Sequence, residues 1–284
     1  MTTFLNSKFL VLCFLIVLAS SVAVPARAQD DDDAVLKPGE PDFSLISLPT
    51  SLRVPKYKSA FRVTHRFTRP LSCKNCPNNL LEDFFGLDSG ARIGLEYRFG
   101  LLPRGQIGIH RTSDKTIEFF GQYGLSRQSG GSPVETSILV AVDGTDNFQA
   151  HRSPAIGLIV TRLLGDRGAL HVEPIWVRNT NLFEPAVSDD GTFVLGLGAR
   201  ARLRGTMYLV GEFAPRVAGY SPGTHHGSFG FEKRLGGHMF QVNVSNSFGT
   251  ALTHVARGAL QRIASDGSTE TDWYLGFNIS RKFF

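Results

Sequence analysis

Along most of this chain apolar and polar residues take turns one by one. In residues 60–67, Phe61, Val63 and Phe67 fall on one side while Arg62, Thr64 and Arg66 fall on the other. Ile93, Leu95, Tyr97 and Phe99 oppose Arg92, Glu96 and Arg98 in the same way, and Ile117, Phe119, Tyr123 and Leu125 oppose Glu118 and Gln122. Further on, Phe193, Leu195, Leu197, Ala199 and Ala201 oppose Arg200 and Arg202, and Phe240, Val242 and Val244 oppose Gln241, Asn243 and Ser245. A period of two belongs to β-strands with one wet and one apolar face. About twelve such segments begin near residues 59, 90, 104, 115, 134, 154, 167, 191, 205, 224, 237 and 270. The sixth, residues 154–164, is apolar on both faces, so its register stays open. No long amphipathic helix competes; only residues 79–85 suggest a short helical turn.

The connections add direction. Tight turns fall at 100–104, 165–168, 204–206 and 236–237, and longer loops near 70–89, 143–153, 178–190, 216–224 and 249–270. Short and long alternate, as when turns face the periplasm and loops face outside in a transmembrane barrel. Two junctions depart from that rhythm: 113–114 is short where a long loop is due, and 129–133 is long where a turn is due. An even strand number with this alternation puts both ends of the barrel segment in the periplasm. The last segment sets Trp273, Leu275, Phe277, Ile279 and Phe283 against Tyr274, Gly276, Asn278 and Ser280, then stops at Phe284. That ending has the form of the signal read by the outer-membrane assembly machinery, which becomes an expected partner during biogenesis, as outer-membrane lipid does afterwards. A secreted β-sandwich would alternate too, but it would not combine this terminus with the loop rhythm.

The first residues read as an export signal. Lys8 precedes an apolar run from Phe9 to Val24, and Pro25-Ala26-Arg27-Ala28 supplies a small-x-small cleavage pattern, so cleavage is expected before Gln29. After that point no window reaches the ~18 apolar residues of a spanning helix. Residues 29–58 lack strand periodicity, carry the acidic run Asp30–Asp33 and hold Pro38, Pro41, Pro49 and Pro55. They form an irregular N-terminal extension in the periplasm, readable as tail, partial plug or disorder. Residues 59–284 are then one domain: an all-β, closed, antiparallel up-and-down transmembrane β-barrel of about 12 strands, in the outer membrane of a Gram-negative bacterium.

Composition changes this picture little. Thirty glycines and 22 phenylalanines fit a barrel, and charged residues make up only 19% of the chain. Loss of Lys8 and Arg27 with the signal lowers the formal charge from +5 to +3, too small an excess to argue for nucleic acid, which export also removes as a partner.

Several stretches are familiar as a set. Residues 61–67 (Phe-Arg-Val-Thr-His-Arg-Phe), 83–91 (Asp-Phe-Phe-Gly-Leu-Asp-Ser-Gly-Ala) and 115–120 (Lys-Thr-Ile-Glu-Phe-Phe) resemble a bacterial family of outer-membrane β-barrel proteins known only as a domain of unknown function. The resemblance runs over nearly all of the mature chain and is most specific in its first third. It implies a barrel and an envelope location, and supplies no substrate and no catalytic residue.

Chemistry-bearing constellations are sparse. Cys73 and Cys76 are the cysteines left after the signal takes Cys13, and in an oxidising compartment they are expected to pair as a disulfide pinning the first long loop. A redox-active pair and a metal site are the alternatives; Pro77 stands where haem attachment needs a histidine, and zinc needs about four ligands. The histidines are His65, His110, His151, His171, His225, His226, His238 and His254; none has a Ser or Asp partner at diagnostic spacing, so no enzyme, no metal and no cofactor is expected. Gly196-x-Gly198 lies within a strand with no helix after it, so it relieves crowding in the wall rather than binding a nucleotide.

The inward set is more coherent. Strand register points Arg62, Arg66, Arg92, Glu96, Arg98, Glu118, Glu173, Arg200, Arg202, Glu212, Glu232 and Arg234 into the lumen. Charges withdrawn from water must pair. Either this Arg–Glu network packs the barrel shut, or a narrow wet pore remains whose arginine excess favours anions. The corresponding functions are a channel for small, anionic solutes, or a non-conducting structural or interaction barrel with an envelope partner whose identity is left open. A membrane-embedded hydrolase around His110 or His171 is the weakest reading.

Overall fold

In the computed structural model, residues 36–71, 80–87, 89–181, 191–259, 261–263 and 269–284 are described. Twelve long strands make the wall: β1 (Ser59–Pro70), β2 (Ala91–Leu102), β3 (Gly105–Thr112), β4 (Ile117–Ser126), β5 (Glu135–Gly144), β6 (Arg152–Leu163), β7 (Gly168–Arg178), β8 (Gly191–Arg204), β9 (Met207–Ala214), β11 (His226–Leu235), β12 (His238–Ser245) and β15 (Tyr274–Phe283). Three short strands decorate the loops: β10 (Arg216–Ala218) pairs with the edge of β8, and β13 (Gln261–Ile263) pairs with β14 (Thr269–Thr271). Each wall strand is antiparallel to its sequence neighbours in the wall. The ladder closes where β1 pairs with β15, with Arg62 opposite Ser280 and Ala60 opposite Lys282. A closed ladder leaves no unpaired edge, which a β-structure in lipid requires. Among the described residues no helix is long and apolar enough to cross a membrane.

The wall turns the usual burial pattern inside out. Leu95, Tyr97, Phe119, Phe229, Phe231 and Val242 are exposed on the outer face, whereas Arg66 and Arg200 are among the largest fully buried side chains. An apolar belt of this extent around a closed sheet is a lipid-facing surface. The residues of the expected assembly signal lie on this side: Leu275, Phe277 and Ile279 alternate outward along β15, and Phe283 is exposed beside Phe284 at its end, with Trp273 just before the strand against Phe229.

The register of β6, open from sequence, is settled by its neighbours. Ser153, Ala155, Gly157, Ile159, Thr161 and Leu163 face inward, and Pro154, Ile156 and Leu158 face lipid. This strand is apolar inside as well as outside because its inner face packs against something other than water.

That partner is the N-terminal segment. Residues 36–58 enter the barrel at the end carrying the short turns and fold as a hairpin-like plug. Ser44 bridges Pro49, the Thr50 amide donates to the Phe43 carbonyl (2.9 Å), and the Leu45 amide donates to the Leu48 carbonyl (2.8 Å), which makes residues 45–48 the tip. Phe43, Leu45, Ile46, Leu48, Leu52 and Val54 are all buried. At the long-loop end a second element folds inward: helix α1 (Leu252–Arg257), within the connection between β12 and β15, with Leu252, Val255 and Ala256 buried.

Candidate functional site, a lumen filled from both ends

The lumen is built from the inward face of the wall, the plug and α1. Its apolar part runs along one side, where Leu139 of β5, Ile159 of β6, Ile175 and Val177 of β7, Val194 of β8 and Val210 of β9 form one cluster with Leu45, Ile46 and Leu48 of the plug and with Leu252, Val255 and Ala256 of α1. Gly196 and Gly198 belong to this contact. A side chain at Gly198 would collide with Leu45, and one at Gly196 would press on Leu48. The crowding that these glycines relieve is thus with the plug as well as within the wall, where the Glu173 Cβ is as close to Gly196 as Leu48 is.

The polar part fixes the plug's main chain group by group. At the tip, the amides of Ile46, Ser47 and Leu48 all donate to the Glu212 carboxylate at 2.9–3.0 Å. Consecutive amides turned toward one carboxylate form an anion-holding concavity, and the His226 ring nitrogen adds a further contact to Glu212 at 2.9 Å. The tip's carbonyls meet donors: Arg62 and Asn278 on Ile46, Gln241 on Leu45, Arg200 on Ser44. On the returning arm, Gln122 donates to the Thr50 carbonyl (2.8 Å), and the Val54 amide donates to Gln106 (2.8 Å). Buried backbone groups need partners wherever they lie, and here wall side chains supply them.

Ion pairs add to the seat. Glu40 pairs with Arg200, and its other carboxyl oxygen lies 2.9 Å from the His171 ring; Asp42 pairs with Lys282 at 2.9 Å and accepts from Ser280 at 2.8 Å; Lys37 pairs with Glu135 at 2.6 Å. Burial alone would raise the Asp42 carboxyl, but Lys282, with Arg200 and Arg62 behind it, pulls it down to about 2.

Above the plug, the Leu252 amide at the start of α1 donates to Glu118 (2.8 Å), Thr253 donates to Asp143, and Arg257 donates to the Thr180 carbonyl (2.7 Å). His254 approaches Asp114 at 3.4 Å. Against the effect of burial, His254, Thr112 and Arg92 hold the Asp114 carboxyl well below the usual carboxylate range. Between plug and helix lies a cavity of about 20 Å³, lined by Ser47, Pro49, Glu96, Arg98, Glu118, Phe120, Leu139, Thr250 and Leu252. It has room for about one water molecule.

The twelve charged residues expected inside divide into two groups. Arg62, Arg66, Glu96, Arg98, Glu118, Glu173, Arg200, Glu212 and Glu232 are buried in the lumen. Arg92, Arg202 and Arg234 share their face but are only half-buried at the strand ends, so they line the mouths; Arg92 pairs there with Asp114 at 3.2 Å, and Arg202 donates to the Gly205 carbonyl. A network of wall residues alone is not what fills the barrel. Wall-to-wall pairs do exist, Arg200 with Glu232 (2.7 Å) and Arg98 with Glu96, but the plug occupies the space between them. Glu173 is fully buried, and neither carboxyl oxygen is hydrogen-bonded among the described residues. His110 and His171 do face inward, against Thr250 at 3.3 Å and Thr161 at 2.9 Å. The His171 ring lies between the Thr161 hydroxyl and the Glu40 carboxylate, and all three residues are buried.

Sequence reasoning passed over several contributors. Lys282 and Ser280 alternate with Arg281 on the wet face of the last strand, Asp143 and Glu135 do so on β5, and Glu40 and Asp42 stand in the extension. Cys73 and Cys76, with the expected disulfide, and the export signal at 1–28 lie outside the described residues. Among the described residues no cluster of His, Cys, Asp and Glu has the form of a metal site.

A closed antiparallel barrel with an apolar outer belt and its charges turned inward is an integral membrane β-barrel. The chain belongs to the family described as a membrane-bound β-barrel domain (DUF5777), whose model matches residues 42–283 and so takes in the plug from Asp42 onward. It resides in the outer membrane of Gram-negative bacteria. Among solved structures it is similar to the NanC porin, with a TM-score of 0.51 and 5% identity over 80% of this chain and 99% of that one. Weaker likenesses are to Salmonella typhi OmpF in complex with daunomycin (TM-score 0.39, 8% identity, 80% and 97% covered) and to the channel DcaP of Acinetobacter baumannii (TM-score 0.34, 9% identity, 78% and 71% covered). At such identities the likeness to NanC is one of fold. No curated protein sequence matches the chain.

Proposed function

We propose that this protein is a gated outer-membrane channel for small solutes, with a preference for anions, and that residues 36–58 are its gate. The carrying observation is how the plug is held. Only its base joins the wall backbone, where Lys56 bridges Gly100 of β2 and the Tyr57 amide donates to the Gly100 carbonyl at 2.7 Å. From residue 55 back to 36 the segment lies outside the wall ladder, its two arms both lead to the short-turn end, and its polar contacts to the wall come from side chains that water can replace. Residues 36–55 can therefore leave without breaking a strand pair. The short-turn end is taken as periplasmic, so the plug is handled from within the cell envelope. In this reading His110 and His171 are packing groups, and the barrel performs no chemistry. Lipid surrounds the apolar belt, and the assembly machinery reads the last strand.

The second reading, a non-conducting structural barrel, is favoured by α1, which closes the long-loop end independently of the plug. A tether separates the two. Ser137 donates to the Ser51 carbonyl across the plug–wall contact at 3.4 Å. With Cys73 and Cys76 replaced by serine, cysteines at Ser51 and Ser137 are joined by a short bis-maleimide. The channel reading predicts single-channel steps in planar bilayers before the tether and silence after it. Silence in both states, with no solute uptake into liposomes, would overturn it in favour of the structural barrel.

A further inference from the structure

The side of the lumen formed by β15 and β1 offers the plug donors only. Lys282 and Ser280 hold the Asp42 carboxylate, and Arg62 and Asn278 hold the Ile46 carbonyl one step further in. These four residues are adjacent in the ladder, with Ala60 opposite Lys282, Arg62 opposite Ser280 and Thr64 opposite Asn278. Each is more than nine-tenths buried. Beyond them along β1, Arg66 is 1% exposed; its Nη1 donates to the His65 carbonyl and to Asn278, while Nε and Nη2 have no hydrogen-bond partner among the described residues. A buried cation with idle donors is costly unless something anionic visits it. The neighbouring acid, Glu96, is engaged by Arg98 and lies 3.8 Å from Arg62, so among the described residues it leaves Lys282 without an ion-pair partner once Asp42 is withdrawn, while the acid that faces Arg66 is Glu212 of the wall. Arg200 differs, because Glu232 neutralises it whether or not the plug is present.

We infer that Lys282, Ser280, Arg62, Asn278 and Arg66 form a seat for small carboxylate-bearing solutes, and that Asp42 is its built-in occupant, the plug's own copy of the group the channel passes. The chemistry matches at each position. The ammonium and hydroxyl take one carboxylate, as they now take Asp42, and the guanidinium and amide beyond them take a second oxygen-bearing group, as they now take the Ile46 carbonyl. A dicarboxylate of a few carbons has that form. Plug and solute then compete for the same donors, so seating the plug empties the path and a bound solute hinders reseating.

The inference rests on the channel reading, and the test keeps the two apart. Asp42→Asn and Lys282→Gln both remove the Asp42–Lys282 ion pair, so both loosen the plug. Only Asp42→Asn leaves the seat intact. In planar bilayers both full-length variants should show more frequent opening than the parent. The Asp42→Asn channels should prefer chloride over potassium by about threefold more than the Lys282→Gln channels, since one lumen cation is removed in the latter. Millimolar succinate should reduce the chloride current of Asp42→Asn and leave that of Lys282→Gln unchanged. Steps in both variants with equal selectivity and equal succinate response would overturn the seat while leaving the channel standing. No steps in either variant would overturn the channel reading and the seat with it.

Discussion

The two sides of the lumen hold the same plug by different physics. From β5 to β9 the inward face carries Leu139, Ile159, Ile175, Val194 and Val210, which bury Leu45, Ile46 and Leu48, and among them only Arg200 and Glu212 reach the main chain at the plug's tip. On β15, β1 and β2 they are Lys282, Ser280, Asn278, Arg62, Arg66, Glu96 and Arg98, which meet carbonyls and carboxylates. The apolar side draws the segment in without regard to register, since burial is non-directional. The polar side specifies which residue goes where, since an unmatched buried donor or carbonyl costs about 1–3 kcal/mol. A plug held only by the first would slide; one held only by the second would gain little over hydration by water.

The comparison breaks most readily at its apolar half. Ile159→Asp places a charge against Leu45 and Ile46 and should expel the plug outright, a penalty of several kcal/mol. In the folded barrel, judged by a retained heat-modifiable gel shift, residues 36–58 should become cleavable by added protease. A plug that stays protected would contradict the apolar side's role. Next comes Glu212→Ala, which orphans three amides at the tip and costs roughly 3–5 kcal/mol. It should raise open probability in bilayers with the gel shift unchanged, and an unaltered trace would show that the tip is held otherwise.

Asp42→Asn is expected to be smaller, about 2 kcal/mol from the depression of its carboxyl to about 2. The sign follows from that depression. The anchor is fully present above the ordinary carboxylate value near 3.8 and is lost as pH falls toward about 2. The parent protein should therefore open more often on acidification across that interval, and Asp42→Asn should remove this component. An unchanged acid response would dissociate Asp42 from gating. At the mouth, Arg202→Ala should alter plug retention by less than about 0.5 kcal/mol.

What the chain disclosed in advance follows the same division. The wall was legible because each strand repeats a lipid-facing and a lumen-facing position, and strands starting at Ser59, Gly191 and His238 were placed within a residue of where they lie. β6 resisted because its inner face serves the plug, so both faces are apolar. The plug itself has no period. Its hairpin is held by wall side chains rather than by a ladder, leaving as its one trace the density of Phe43, Leu45, Ile46, Leu48, Leu52 and Val54 among prolines. The six-residue α1 is too short to carry a helical pattern and gains its burial from the cluster it enters. Lys282 and Asp42 were invisible as a pair because 240 positions of sequence separate them.

The claim on which the rest depends is that residues 45–48 sit inside the barrel against Glu212. Amide hydrogen exchange of the purified protein in detergent tests it directly, because protection reports local opening. The amides of Ile46, Ser47 and Leu48 should exchange as slowly as those of the wall strands, and faster in Glu212→Ala with β9 unaffected. Exchange at the rate of an unstructured chain in the parent protein would contradict the account.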